Sequence, residues 1–168
     1  MAKNIFLIGF MGTGKSTIAK VLSKECNMSL VEMDERLVEE AGMSINDIFE
    51  KYGEEHFRDM ETKLIMTIGK EGNSVVSCGG GVPMREVNVE AMRESGTVVY
   101  LQSSPQTIYE RVKDSTNRPL LNGNMNVEYI TKLMEARRPK YEAAADLTII
   151  TDGKSRNEIC KEVIDKLN

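Results

Sequence analysis

The sequence predicts an α/β fold in which a five-stranded parallel sheet is covered by helices on both faces, giving three layers. Five short apolar runs are typical of buried strands, at 5–8, 29–31, 74–77, 97–101 and 147–151. The runs are continuous rather than alternating, as expected for parallel strands that are buried on both faces. Longer segments with helical periodicity separate them, and this alternation indicates right-handed strand–helix–strand crossovers.

The composition is that of an ordinary globular protein. Of 168 residues, 40% are hydrophobic and 29% are charged, which excludes a chain that is disordered for lack of apolar residues. No repeat, linker or low-complexity tract divides the sequence, so we expect a single domain over residues 1–168. Two helix starts are visible: Ser44 has an acid three residues later, and Ser104 precedes a proline.

Charge and apolar content exclude several classes of partner. The formal net charge is −4, which argues against binding to nucleic acid or to an anionic membrane surface. No apolar run approaches the roughly 20 residues of a membrane span, and the run at 5–8 is too short for a signal peptide. Three scattered cysteines and one histidine exclude a disulfide framework and a multi-histidine metal site. We expect a cytoplasmic monomer.

The strongest motif is GFMGTGKS at 9–16, which fits the pattern G-x-x-x-x-G-K-[ST] at every fixed position. It follows the first predicted strand and precedes a helix expected from Thr17 onward. Its glycines let backbone N–H groups turn inward, and these groups with the helix N-terminus form an anion site. Lys15 would reach the β- and γ-phosphates of a nucleotide, and the Ser16 hydroxyl would bind Mg²⁺. The alternative, a glycine-rich turn with a solvated lysine, fits this context poorly.

A phosphate loop alone leaves three classes of protein open: a small-molecule or nucleotide kinase, a GTPase switch and an ATPase motor. None of the seven aspartates has a glycine three residues later, so the D-x-x-G of GTPases is missing, as is a guanine-reading N-K-x-D. Motors generally need a longer chain. The sequence therefore favours a kinase with a small acceptor.

Two acids follow the second predicted strand. Glu32 and Asp34 lie on the same side by alternation, at the carboxyl end of a strand, where open α/β sheets bind ligands. One could assist Mg²⁺ through water, and the other could accept a hydrogen bond from an attacking hydroxyl. The alternative is that these acids, with Glu35, only form the charged start of a helix.

Two further segments suit a small anionic acceptor. Arg58 and Glu61 are three residues apart in a helical stretch and share a face, so the acid could hold the arginine toward a substrate, although a surface ion pair is equally compatible. Gly79, Gly80 and Gly81 follow the third strand, where consecutive glycines indicate close backbone approach to a ligand. A flexible turn is the alternative there.

Arginines from later segments complete the candidate site. The Asn- and Ser-rich stretch at about 112–126 is long enough for a lid, and its Arg118 could neutralise charge on the phosphoryl group in transfer. Arg111 precedes this stretch and could pack on a base. Arg58 and Arg137 could together hold a carboxylate by paired hydrogen bonds. Since neighbouring helix positions point about 100° apart, only one of Arg137 and Arg138 should face the site.

The ordered combination of motifs resembles the shikimate kinase family over nearly the whole length. The motifs are GFMGTGKST, the aspartate of EMDE, GMSINDIF with FRDME, CGGGVP, NRPLL and RRPKY. The resemblance implies a P-loop NTPase fold of the nucleoside-monophosphate-kinase type, with strand order 2-3-1-4-5. It also implies Mg²⁺-dependent transfer of the γ-phosphoryl group of ATP to the 3-hydroxyl of shikimate, on the chorismate route to aromatic amino acids.

The resemblance implies a role for each matched residue. The catalytic residues would be Lys15, Asp34 and Arg118. The acceptor would be bound within a helical segment at about 34–61 and beyond it, by Asp34, Arg58, Gly79, Gly80, Gly81 and Arg137. The nucleotide would be bound by Gly12, Thr13, Gly14, Lys15, Ser16, Thr17, Arg111, Arg118 and Lys154. The metal would be contacted by Ser16 and, through water, by Glu32. The family usually has an aspartate at the position of Glu32.

Two other functions remain open at this point. A related kinase could act on another small hydroxy acid, such as gluconate, because paired arginines and Asp34 suit many such acceptors. A nucleotide-binding regulatory module would bind ATP without phosphorylating anything. The complete set of residues for phosphoryl transfer argues against the regulatory module.

Overall fold

The computed structural model describes residues 3–113 and 125–168. Within them the strands are β1 (Asn4–Ile8), β2 (Ser29–Glu32), β3 (Ser74–Ser77), β4 (Gly96–Gln102) and β5 (Leu147–Ile150). The helices are α1 (Lys15–Glu25), α2 (Met33–Ala41), α3 (Ile45–Tyr52), α4 (Glu54–Glu71), α5 (Glu86–Ser95), α6 (Pro105–Val112), α7 (Val127–Ala144) and α8 (Arg156–Leu167), with a short 3₁₀ helix at Val82–Met84.

The five strands form one parallel sheet in the order β2-β3-β1-β4-β5. This confirms the predicted three-layer α/β/α class and the strand order that the family resemblance implied. The central strand β1 shows how the two faces are divided. Ile5 and Leu7 pack with α1 and α8 on one face, while Phe6 and Ile8 pack with α4, α5 and α7 on the other, as the period of two in a strand requires.

Local signals set most of the element boundaries. The Ser44 hydroxyl accepts the Asp47 N–H at 3.1 Å and begins α3. The Ser104 hydroxyl accepts the Thr107 N–H at 3.3 Å and begins α6, so both predicted caps are confirmed. Helix α1 begins at Lys15 rather than Thr17, because the first helical hydrogen bond already closes on the carbonyl of Gly14.

The sheet brings three chain segments to one edge. The phosphate loop follows β1, Glu32 ends β2, Asp34 lies in the first turn of α2 directly after it, and the three glycines follow β3. The strand alternation predicted for Glu32 and Asp34 is therefore wrong, because the helix already begins at Met33. Since β2, β3 and β1 are neighbours in the sheet, all three segments meet at the carboxyl ends of adjacent parallel strands, where ligands bind in such folds. Among the helices of residues 3–113 and 125–168, none is long and apolar enough to cross a membrane.

Candidate active site

The phosphate loop has the backbone that its glycines allow. Gly12 and Gly14 have φ of 83° and 95°, a region that side-chain-bearing residues rarely adopt. Lys15 is 8% exposed, and its Nζ donates to the carbonyl oxygens of Gly9 at 2.7 Å and Phe10 at 3.0 Å. The ammonium group is thus held against the loop at the N-terminus of α1, where charge and backbone N–H groups together attract an anion.

The hydroxyl after the loop lysine contacts the acid at the end of β2. Ser16 Oγ donates to Glu32 Oε2 at 2.8 Å, and it lies 3.4 Å from Ser77 Oγ at the end of β3. Burial raises the pKa of the Glu32 carboxyl, and the hydrogen bond from Ser16 opposes this rise. The glutamate side chain therefore reaches the loop hydroxyl across the sheet edge.

A cavity of about 370 Å³ joins the loop to the acceptor-side segments. Loop residues form one wall, and Asp34, Gly79 and Gly80 form part of the other. The three glycines come within reach of the phosphate loop: a Cβ placed on Gly80 would lie 3.6 Å from the backbone nitrogen of Met11 and 3.7 Å from the carbonyl oxygen of Gly9. Donor-side and acceptor-side backbone are therefore in direct proximity.

Arg58 is fixed by two acids of its own helix. Its Nη1 donates to Glu61 Oε1 at 2.8 Å and its Nη2 to Glu54 Oε2 at 3.1 Å. Glu61 is 1% exposed, and burial raises the pKa of this carboxyl while Arg58 opposes the rise. Glu61 Oε2 has no hydrogen-bond partner within the described residues. A buried, incompletely paired acid is costly, so the pair is more than a solvated surface contact.

Arg137 is buried on α7. It is 9% exposed, its Cζ lies 5.9 Å from the centroid of the Phe10 ring, and its Nη1 has no hydrogen-bond partner in the part of the chain that the structure describes. The Arg138 side chain instead is 40% exposed and pairs with Glu135 at 2.9 Å. Only Arg137 therefore turns inward, as the helical geometry predicts.

The charged groups of the site converge on the three glycines. A Cβ on Gly79 would lie 2.5 Å from Glu61 Oε2 and 3.3 Å from Asp34 Oδ1. A Cβ on Gly80 would lie 3.1 Å from Arg137 Nη1, and one on Gly81 would overlap the Arg58 guanidinium. The absence of side chains lets two guanidinium groups and two carboxyl groups approach one short stretch of backbone. Sequence reasoning predicted this set, and the structure brings its members together.

The structure gives different surroundings to Arg111 and Lys154, two of the residues predicted to bind the nucleotide. Arg111 Nη1 donates to the carbonyl oxygen of Gly12 at 3.0 Å, so this arginine lies over the phosphate loop. The Lys154 ammonium pairs with Glu162 at 2.7 Å. Arg118 and most of the lid predicted at about 112–126 lie outside the described residues, and their assignment remains a prediction.

Sequence reasoning assigned no role to some residues that the structure places here. Ser77 stands at the end of β3 and faces Ser16; the strand-end rule that identified Glu32 could have identified it too. Phe10 lies under the Arg137 guanidinium. Tyr141, in the RRPKY motif, donates from its hydroxyl to the carbonyl oxygen of Gly80, and no local pattern signals such a contact.

We expect Gly81→Ala to weaken acceptor binding without unfolding the protein. Gly81 has φ −93° and ψ −2°, a turn conformation that alanine can adopt, but the added methyl group would displace the Arg58 guanidinium. Because that group is the end of a flexible side chain, the melting temperature should change little while the KM for the acceptor rises about tenfold. Gly69→Ala is the control, since its methyl group would meet Ser95 only at 3.5 Å. Equal kinetics for the two variants would contradict this arrangement.

A parallel sheet in this order, with a phosphate loop at its centre and a polar cavity beside it, defines a P-loop kinase. Residues 11–168 match the family model described as shikimate kinase, and a shikimate kinase of Dehalococcoides mccartyi is 43% identical over 164 residues, covering 98% of this chain and 93% of the relative. The chain belongs to the shikimate kinase family.

Solved structures show the same relationship. A shikimate kinase from Acinetobacter baumannii, in complex with shikimate, has a TM-score of 0.95 at 29% identity, covering 99% of this chain and 93% of that one. A gluconokinase from Sinorhizobium meliloti has a TM-score of 0.61 at 17% identity, covering 98% and 91%. The second likeness extends to the fold alone.

Proposed function

We propose that this protein transfers the γ-phosphoryl group of ATP to the 3-hydroxyl of shikimate, giving shikimate 3-phosphate and ADP. The observation that carries the proposal is the convergence of Arg58, Arg137 and Asp34 on three glycines that adjoin the phosphate loop. Such a pocket suits a small acceptor that carries one carboxylate and several hydroxyl groups. The structure of the Acinetobacter baumannii shikimate kinase in complex with shikimate, which this chain matches over 93% of that chain, supports the choice of acceptor.

On the donor side, the loop N–H groups and Lys15 would hold the β- and γ-phosphates. Phosphoryl transfer depends mostly on positioning and on stabilising charge that spreads over the transferred group. Lys15 is already fixed by two loop carbonyl groups, so the ammonium group needs little rearrangement to serve the nucleotide. Arg111, over Gly12, would stand beside the adenine.

Kinases of this kind generally need a divalent metal with ATP, and the residues present fit Mg²⁺. The Ser16 hydroxyl and the Glu32 carboxylate offer adjacent oxygen atoms, the ligand type that Mg²⁺ prefers. Within residues 3–113 and 125–168 no group of three or more acidic, histidine or cysteine side chains could hold a metal, which suits an ion bound mainly by the triphosphate. When bound, Mg²⁺ would neutralise charge on the phosphates.

On the acceptor side, each charged group has a separate task. Arg58 and Arg137 would bind the carboxylate, where guanidinium groups give directional paired hydrogen bonds. Asp34 lines the cavity from the first turn of α2 and would accept a hydrogen bond from the attacking hydroxyl, orienting it and taking its proton. The glycines would let the ring lie against backbone.

The proposal is tested by measuring ADP release with ATP and a panel of acceptors. Shikimate should be turned over, whereas gluconate, which also carries a carboxylate and hydroxyl groups, should give at most about a hundredth of its kcat/KM. Equal turnover of the two would favour the alternative kinase. Binding of ATP without phosphorylation of any acceptor would favour a regulatory module.

Glu32→Gln should raise the Mg²⁺ concentration needed for half-maximal activity about tenfold, the size of effect seen when residues around a metal are neutralised. Glutamine keeps the length of the side chain and an oxygen that can accept the Ser16 hydrogen bond, but it loses the negative charge. The measurement is activity against Mg²⁺ at saturating ATP. Glu39→Gln, an exposed acid on α2, is the control. An unchanged Mg²⁺ requirement in the Glu32 variant would remove this residue from the metal site.

A further inference from the structure

Tyr141 is a buried polar side chain that the transfer mechanism above does not use. It lies on α7, four residues after Arg137, so both side chains share one face of the helix. Tyr141 is 1% exposed, and its hydroxyl donates to the carbonyl oxygen of Gly80 at 2.7 Å. The contact crosses 61 residues of sequence and joins α7 to the glycine stretch.

Gly80 differs from its neighbours in how its carbonyl group is held. The carbonyl oxygens of Gly79 and Gly81 accept N–H groups from Val82 and Met84, both at 3.1 Å, within the same turn. The carbonyl oxygen of Gly80 instead accepts from another element. Three consecutive glycines restrict the backbone only weakly. The hydrogen bond from Tyr141 therefore fixes the position of this stretch relative to α7, the helix that carries Arg137.

The surroundings keep the Tyr141 phenol a neutral donor. Burial raises the pKa of this phenol, and the neighbouring Arg137 guanidinium opposes the rise. A phenol oxygen that donates its proton to Gly80 can still accept a hydrogen bond, and the Arg137 side chain is a hydrogen-bond partner of this phenol. The Tyr141 hydroxyl therefore contacts two groups, the Gly80 carbonyl and the Arg137 side chain, that would both contact the acceptor.

We propose that Tyr141 is a positioning residue for acceptor binding. Its hydroxyl holds the Gly80 peptide and the Arg137 guanidinium in fixed relation, so that backbone and cation meet the same bound molecule. The inference rests on the proposed function, because the acceptor is taken to be shikimate. It predicts a change in acceptor affinity and none in nucleotide affinity, because none of the predicted nucleotide contacts lies on α7.

The experiment is calorimetric titration of shikimate and, separately, of ADP into the full chain and its Tyr141→Phe variant. The variant keeps the ring and removes only the hydroxyl. Shikimate should bind about tenfold more weakly, the loss expected for one buried hydrogen bond and its misplaced partners. ADP affinity should stay within twofold, which also shows that the variant is folded.

Tyr100→Phe is the matched control. This second buried tyrosine lies on β4, and its ring centroid is 5.2 Å from that of Tyr141, so the substitution removes a hydroxyl from the same ring pair without touching Gly80. Its shikimate affinity should equal that of the wild type. Unchanged binding in the Tyr141 variant, or equal weakening in both variants, would overturn the positioning role. A wild-type protein that binds ADP but not shikimate would overturn the proposed function, and this inference with it.

Discussion

Lys15→Met is expected to lower kcat/KM about a thousandfold while leaving the fold intact. The ammonium group is held at the loop by the carbonyl oxygens of Gly9 and Phe10, so its charge is in place before the nucleotide arrives. Removing one preorganised charge from a phosphoryl-transfer site typically costs two to three orders of magnitude. Methionine keeps most of the length of the side chain and its packing.

The measurement is steady-state ADP release, with thermal unfolding as the test of folding. Lys20→Met is the control, because Lys20 lies on the same helix but is exposed, and it should leave kcat/KM within about twofold, as expected of an exposed substitution. Activity within tenfold of wild type in the Lys15 variant would show that this charge does not act in transfer.

Arg137→Met should raise the KM for shikimate about a hundredfold with little change in the KM for ATP. A hundredfold change corresponds to about 2.7 kcal/mol, within the range for a hydrogen bond to a charged group. Arg137 also opposes the rise in the pKa of the buried Glu61 carboxyl, so thermal unfolding is measured beside the kinetics to separate a loss of stability from a loss of acceptor binding.

Arg138→Met supplies the matched control for this prediction. The two arginines are adjacent in sequence, but Arg138 points outward and pairs with Glu135. Its loss should leave both KM values unchanged, as is usual for an exposed ion pair. If the Arg138 variant lost acceptor affinity and the Arg137 variant kept it, the orientation of α7 in the site would be wrong.

The fold could be predicted from the sequence because its signals are local and mutually consistent. Continuous apolar runs identify each strand, and the Ser44 and Ser104 caps are confirmed. The expectation that every strand is buried on both faces is wrong for β2 and β5, because they are the edge strands of the sheet and only one residue of each is buried. The phosphate-loop motif identifies the connection between β1 and α1. Strand order is different: apolar runs carry no record of their neighbours, and the order came only from the family resemblance.

The candidate site, too, could be predicted from the sequence only in part. Strand-end logic placed Glu32 and Asp34 at the ligand-binding edge, and the spacing of Arg58 and Glu61 predicted their ion pair, which the structure has at 2.8 Å. The spacing of two residues does not show whether their ion pair is buried or exposed, because burial depends on packing between distant segments. The contact of Tyr141 with Gly80 arises from such packing, so no pattern within either segment could have predicted it.

The proposed function requires that the phosphate loop and the carboxylate-binding arginines hold two molecules close enough for direct transfer. The most direct measurement is a crystal structure of the wild-type protein with ADP and shikimate. We expect the shikimate carboxylate to lie within hydrogen-bond distance of both Arg58 and Arg137, with the ring against Gly79–Gly81 and the 3-hydroxyl turned toward the phosphate loop. A shikimate molecule bound elsewhere, with neither guanidinium in contact with it, would refute the proposed function.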